Sequence, residues 1–363
     1  MDLTIPWWEI NFGEAEAEAA AEAIRNRTIS QGRLTERFER ELAATVGARH
    51  AVVTTSGSTA LWLTMLTLGI GPGDEVIVPD VTWIATAHAA RTLGATVVLV
   101  DCIADLPLMD PAELERAITP RTKAILPVHL NGRAVAMAPV LKIAARHGIA
   151  VVEDAAQAFS SRDALGPLGT LGTMGIYSLG LAKLVATGQG GVVVTNDDEL
   201  CRRLRLGKVH GVPSGPQEIY AQPGLNLKFT DLQAAIGLVQ LGRLTEKVQH
   251  VNRIYHMYRE GLAGLPFLAL VPCQVENGEV PLWTEMRSPL RTRLFTHLAE
   301  HGIQARPSHR PLHEAEHLDC AANRRPFPNA SRLADEVFAL PCGPAQPLAN
   351  VERTIEVLHR FTP

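Results

Sequence analysis

Lys183 is the first group in this sequence whose surroundings suit covalent chemistry. It stands in GIYSLGLAKLVATGQGGVVV, flanked by Leu181, Ala182, Leu184 and Val185. Apolar surroundings disfavour an ammonium ion, so a lysine held there becomes a neutral amine able to bond a carbonyl carbon. Ser178, five residues earlier, brings a hydroxyl suited to a phosphate. Gly188, Gly190 and Gly191 permit a tight turn back into a strand. Taken alone, Lys183 also reads as a surface side chain whose stem lies along apolar neighbours.

Three further segments carry side chains of matching chemistry. Asp154 follows an apolar run and Glu153 in IAVVEDAAQAF. A carboxylate at the end of a buried strand needs a partner. It either caps the next helix or neutralises a buried cationic ring nitrogen. In TTSGSTAL, Gly57 and Ser58 open a helix whose free amides can hold an anion, or are simply capped. In PDVTWIATAHAA, Trp83 follows a strand end, where its ring either stacks on a flat ligand or fills the core. Together, an amine, an acid for a ring nitrogen, a phosphate-type turn and an aromatic plate specify pyridoxal phosphate (PLP).

The elements that must position these residues alternate. AVVTT, EVIVP, TVVLVD, KAILPVHL and IAVVED read as strands, with ALWLTMLTLG, ATAHAARTLG, AELERAI and APVLKIAARHG as helices between them. The strands are continuous apolar runs, which predicts an α/β fold with a largely parallel sheet covered on both faces. Ligands of such sheets sit beyond the carboxyl ends of the strands. Here those ends carry Ser56–Thr59, Pro79–Trp83, His129–Asn131 and Asp154–Gln157. A long helical stretch from TDLQAAIGLVQL to YHMYREGL then leads into a second unit. The expected division is a large domain over 1–245 and a small α+β domain over 246–363.

Composition limits the remaining classes. The 363 residues carry a formal net charge of −4, which offers no field for nucleic acid. No run approaches the roughly 18 apolar residues of a membrane helix, and the start, MDLTIPWWEI, does not resemble a signal peptide. Five scattered cysteines, with no C-x-x-C pair, suggest neither a disulfide framework nor a zinc ribbon, so a cytoplasmic protein is expected. His309, His313 and His317 are spaced as on one helical face, but Pro311 interrupts them, and no metal site is expected.

The motif order SGSTAL, VPDVTWIATAHA, PVHLNG, VEDAAQAF, YSLGLAKLVATGQGG, KVHG and GLNLKFTDLQAAIGLVQL resembles the DegT/DnrJ/StrS sugar aminotransferases. The resemblance implies fold type I, with a seven-stranded sheet between helices, and PLP bonded to Lys183, which also shuttles a proton. It further implies Asp154 at the ring nitrogen, Gln157 on the ring-hydroxyl side, Trp83 on the ring face and Gly57, Ser58 and Ser178 at the phosphate. Asn226 would reach the cofactor of a neighbouring subunit, making a homodimer with shared active sites. The implied reaction moves an amino group from an amino-acid donor, glutamate in this family, to a keto sugar that carries a nucleotide. A cyclitol ketone, a sugar dehydratase and a non-catalytic relative are the alternatives. Two segments depart from the pattern. Gly180 stands where a histidine is frequent, and in GIQARPSHRPLH, Ser308 and His309 stand where aromatics are common. Arg306 and His309 are the candidate substrate contacts.

Overall fold

Apolar runs with both faces covered become the central strands. The computed structural model describes residues 4–212 and 222–363. Strands β1 (His50–Thr54), β2 (Glu75–Pro79), β3 (Thr96–Val100), β4 (Thr122–Ile125) and β5 (Ala150–Asp154) alternate with helices. A short ribbon of β6 (Arg162–Asp163) and β7 (Gly166–Pro167) follows, and then β8 (Met174–Ser178) and β9 (Gly191–Thr195). The main sheet has seven strands in the order β1-β9-β8-β5-β4-β2-β3. Only β9 opposes its neighbours; the pairs β8–β5, β5–β4, β4–β2 and β2–β3 are parallel. Every residue of β2 and of β9 is buried, as a sheet sandwiched between helices requires.

This direction rule places β1, β2, β5 and β8 with their carboxyl ends along one edge. β9 returns between β1 and β8, pairing Gly191 with Thr54 on one side and with Ser178 on the other. Position 191 must be glycine. A Cβ there would lie 2.2 Å from the carbonyl oxygen of Ser56 and 2.7 Å from the amide of Gly57. The close approach brings the start of the helix Gly57–Leu68 against the strands that flank the lysine loop.

The helical run expected from 230 onward is two helices, Asp231–Gly242 and Leu244–Gly261. The break falls at Arg243 (φ −100°, ψ 8°), directly after Gly242, a poor helix former. Beyond it lies a four-stranded antiparallel sheet of β10 (Ala269–Leu270), β11 (Glu285–Arg287), β12 (Arg306–Pro307) and β13 (Val337–Ala339), in the order β10-β11-β13-β12. The amino-terminal segment crosses to this part of the chain. Ile5 bridges Ile303, Trp8 bridges Cys342, and Ile5 shares a hydrophobic cluster with Val357 and Phe361. Residues 5–8 therefore pack with the C-terminal part although they precede the large sheet in sequence.

A buried ion pair ties the two sheets. Arg133, in the loop after β4, bonds Glu285 of β11 at 2.6 Å and the carbonyl of Pro272 at 2.8 Å, with both charged side chains almost fully buried. Removing one partner leaves the other charge buried and unpaired, a loss of about 3–5 kcal/mol. Arg133→Met is expected to lower the free energy of unfolding, measured by urea titration, by that amount. A free energy of unfolding within about 1 kcal/mol of the parent would mean that Glu285 finds water or another partner.

Candidate active site

The lysine loop is built first. It spans Leu179–Gly190 between β8 and β9, and its neck is closed by two backbone bonds, Leu179 N–H to Gly190 O at 2.8 Å and Thr187 N–H to Leu179 O at 2.9 Å. Gly188 turns the chain at φ +80°. Lys183 lies on the cleft side of this loop, its Nζ 6.0 Å from the centre of the Trp283 ring. Burial lowers its pKa to about 8, with the positive charge of Arg306 adding to the effect and Asp154 opposing it. Near neutral pH a usable fraction of this amine is unprotonated, unlike a surface lysine.

Asp154 faces the same cleft from the end of β5. Its Oδ2 accepts from the Thr86 hydroxyl at 2.7 Å and its Oδ1 from the Ala156 amide at 3.1 Å. Among the described residues no ion pair reaches it. Burial pushes its carboxyl above the ordinary aspartate value, against the pull of Thr86, Ala156 and Lys183. A buried acid whose direct hydrogen-bond partners are two neutral donors is under-compensated, so a protonated ring nitrogen in the cleft would relieve it.

The cleft, about 250 Å³, is also lined by Gly57, Ser58 and Ser178 at one end. Gly57 keeps the approach to Ser178 close. A Cβ on it would meet Ser178 Cβ at 3.1 Å and Oγ at 3.2 Å. Ser56 caps the helix by accepting from the Thr59 amide at 3.2 Å, while the amides of Gly57 and Ser58, in the first turn, have no acceptor within the helix. Two hydroxyls beside two free amides form a cradle for a phosphate.

Trp83 forms one wall and is 55% exposed, so its ring is a plate open to the cleft and not a core side chain. Gln157 turns its Oε1 to the Asn131 amide at 2.9 Å and its Nε2 towards His309 Nε2 at 3.4 Å. His309 lies between the rings of Trp83 and Trp283, at 5.8 and 5.7 Å between centroids. Burial, reinforced by Arg306 and Lys183, lowers its pKa to about 4, so it is a neutral imidazole at pH 7. Arg306 stacks its guanidinium on Trp7 at 4.4 Å and on Trp283 at 5.0 Å, and no carboxylate pairs with it among the described residues. It is a cation held by two indole faces and available to an anion. Trp83, Arg306 and His309 also line an adjoining hollow of about 680 Å³, where Trp7, Ser308 and Arg310 complete much of the wall.

A family model describing the DegT/DnrJ/EryC1/StrS aminotransferases matches residues 11–359. The chain belongs to this family. It is an aminotransferase, on the fold of the PLP-dependent aminotransferases. It is 39% identical over 290 residues to a GDP-perosamine synthase of Caulobacter vibrioides, covering 78% of each chain. Over 370 residues it is 36% identical to the dTDP-3-amino-3,4,6-trideoxy-alpha-D-glucose transaminase of Streptomyces venezuelae, covering 98% of this chain and 96% of that one. The solved structure of S. venezuelae DesV in complex with a ketimine intermediate superposes with a TM-score of 0.89, at 34% identity, covering 96% of this chain and 95% of that one.

Of the residues singled out from sequence, this aminotransferase brings Lys183, Asp154, Gly57, Ser58, Trp83, Gln157, Ser178, Arg306 and His309 into one cleft. Asn226 is elsewhere. It is exposed, bridges Val209, and does not line the cleft of its own chain. The three spaced histidines diverge: His309 to Gln157, His313 to Asp80 at 2.6 Å and His317 to His88 at 2.9 Å. Thr86 and Trp283 of the cleft, and Trp7 of the adjoining hollow, are residues that the sequence did not single out. Thr86 had a signal, a hydroxyl three residues beyond Trp83 in a short helical run. Trp283 and Trp7 had none, because they arrive from distant parts of the chain.

Proposed function

We propose that this aminotransferase holds PLP on Lys183 and moves an amino group from an amino-acid donor, glutamate by resemblance, to a keto sugar carried on a nucleotide. The observation that carries this reading is the pairing, within one cleft, of an amine whose pKa is about 8 with a buried acid that makes no direct ion pair among the described residues. When bound, PLP supplies an aldehyde for the amine and a ring that withdraws electrons from the carbon losing its proton.

The chain's own residues do the rest. Lys183 Nζ takes a proton from the substrate carbon and returns it on the way to product. Asp154 faces the ring nitrogen, and Thr86 and Ala156 fix the carboxylate so that its charge is in place before the reaction. Gly57, Ser58 and Ser178 hold the phosphate, Trp83 covers one ring face, and Gln157 lies on the ring-hydroxyl side. Arg306 binds an anionic group of the substrate, and neutral His309 offers it a hydrogen-bonding edge without charge. The hollow beside the cleft has room for the remainder of a large acceptor.

Asn226 reaches the cleft of a second copy in this reading, and the enzyme is a cytoplasmic homodimer. Its exposure away from its own cleft fits that role. Light scattering is expected to give about twice the 39.3 kDa chain mass; a monomer would remove the shared site. Among the described residues no helix is long and apolar enough to cross a membrane.

The reaction is tested by incubating the protein with PLP and glutamate. 2-Oxoglutarate should accumulate catalytically only when a nucleotide-linked keto sugar is added, with the amino sugar appearing in equal amount by mass spectrometry. Turnover with free cyclitol ketones alone would replace the acceptor class. Loss of water from the sugar without 2-oxoglutarate would contradict transfer altogether.

The Lys183 environment also sets a pH dependence. Only the neutral amine bonds the aldehyde, and its pKa of about 8 means that capture of PLP by the cofactor-free protein should speed up as pH rises and level off above about 8. Stopped-flow absorbance checks this. A rate still climbing towards the ordinary lysine value near 10.4 would mean that the amine is not desolvated.

A further inference from the structure

A second buried amine stands directly behind the lysine loop. Lys247, on the helix Leu244–Gly261, is 1% exposed. Its Nζ donates to the carbonyl of Leu184, the residue next to Lys183, at 3.0 Å, and to Gln240 Oε1. Gln240, itself buried, holds the arrangement from the far side. Its Oε1 also accepts from the Ala186 amide at 3.5 Å, and its Nε2 donates to Glu16 Oε1 at 2.8 Å and to the carbonyl of Asn11 at 2.7 Å. Glu16 is buried too. Three helices and the amino-terminal segment are thus connected by polar contacts to residues 184–186.

Packing alone does not call for a lysine here. A buried ammonium is costly, and a methionine would fill similar volume without that cost. The other buried lysine outside the cleft, Lys208, bonds Glu39 directly at 3.0 Å. Lys247 has no such carboxylate among the described residues, and its Nζ bonds are to a backbone carbonyl and an amide oxygen. What its amine adds over an apolar side chain is a donor aimed at the backbone beside Lys183. The loop has a second, more exposed tie, from Trp8 Nε1 to the carbonyl of Leu181 at 3.2 Å, two residues before the lysine.

We propose that Lys247 is a positioning residue, which through Leu184 and Gln240 fixes the backbone from which Lys183 reaches the cofactor aldehyde. The inference rests on the proposed PLP chemistry at Lys183. It differs from a general stabilising role in one respect. The cradle at Gly57, Ser58 and Ser178 lies on other elements, so losing Lys247 should disturb the reach of Lys183 and leave the rest of the cofactor site intact.

Two forms of the vitamin separate these roles. PLP needs the amine of Lys183 for its covalent bond, whereas pyridoxamine phosphate (PMP) carries no aldehyde and binds through the phosphate, the ring and Asp154 alone. Lys247→Met in the full-length protein is expected to slow PLP capture about tenfold or more, as the loss of a charge-assisted hydrogen bond would, while the PMP dissociation constant changes less than about threefold. Lys247→Arg, which keeps a donor, should recover part of the capture rate. If Lys247→Met does not fold, Gln240→Met removes the acceptor end of the same tie and should show the same selective loss. Equal weakening of PLP and PMP, or unaltered capture, would overturn the positioning role. Failure of the unaltered protein to capture PLP would overturn both this role and the chemistry on which it rests.

Discussion

Lys183→Ala should purify folded, bind PLP without the visible absorbance of a lysine-bonded cofactor, and turn over no keto sugar. The residue lines the cleft beside the Trp283 ring and lies on a loop closed by other backbone bonds. Its removal therefore deletes a group from the cavity wall and leaves the core alone. A positioned proton-transfer group is worth about 10²–10⁴ in rate, and the covalent hold on the cofactor is lost as well. The fall in kcat should thus be at least about 10³-fold, measured as 2-oxoglutarate release. A far-ultraviolet circular dichroism spectrum matching the parent would show that the loss is chemical. Activity within tenfold of the parent would remove Lys183 from the reaction.

The second large effect belongs to Asp154→Asn. Asparagine keeps an oxygen for the Thr86 hydroxyl and a side chain of nearly the same volume, but carries no charge to hold a ring nitrogen protonated. Removing one preorganised electrostatic contact of this kind costs about 3–4 kcal/mol, or about 10²–10³ in kcat. Because Lys183 is untouched, the variant should still capture PLP, which separates this loss from that of Lys183→Ala. Asp154 raises the pKa of Lys183 while burial lowers it. The capture midpoint in Asp154→Asn should therefore move below about 8. A midpoint that stays at the parent value would mean that the two groups do not feel each other across the cleft.

How much of this site the sequence revealed follows from where each residue gets its neighbours. Asp154 and Ser178 end apolar runs, so strand burial alone places them at the sheet edge, and the parallel order brings those edges together. Lys183 is legible because its immediate neighbours in sequence are apolar. Gly57 and Gly191 are legible as glycines, but their reason is a contact between chain segments more than a hundred residues apart. Trp283, Trp7 and Lys247 were not visible as site residues. Each acquires its role from a distant segment folding back, Trp7 by crossing to the small sheet and Lys247 by the turn at Arg243 that lays one helix behind the lysine loop. The histidine triplet shows the converse. Regular spacing suggested a shared face, but the stretch is a strand end and short 3-10 turns, and the three rings part.

Among the described residues, two lysines have a pKa near 8, Lys183 and Lys247, and a third lysine, Lys208, is buried against Glu39. Only Lys183 lines the cleft. Incubating the protein with PLP, reducing with borohydride and mapping the peptides by mass spectrometry asks which amine bonds the aldehyde. The expected result is one pyridoxyl group per chain, on the peptide containing Lys183. A label on Lys247 or Lys208, or no stoichiometric label at all, would contradict the account at its centre.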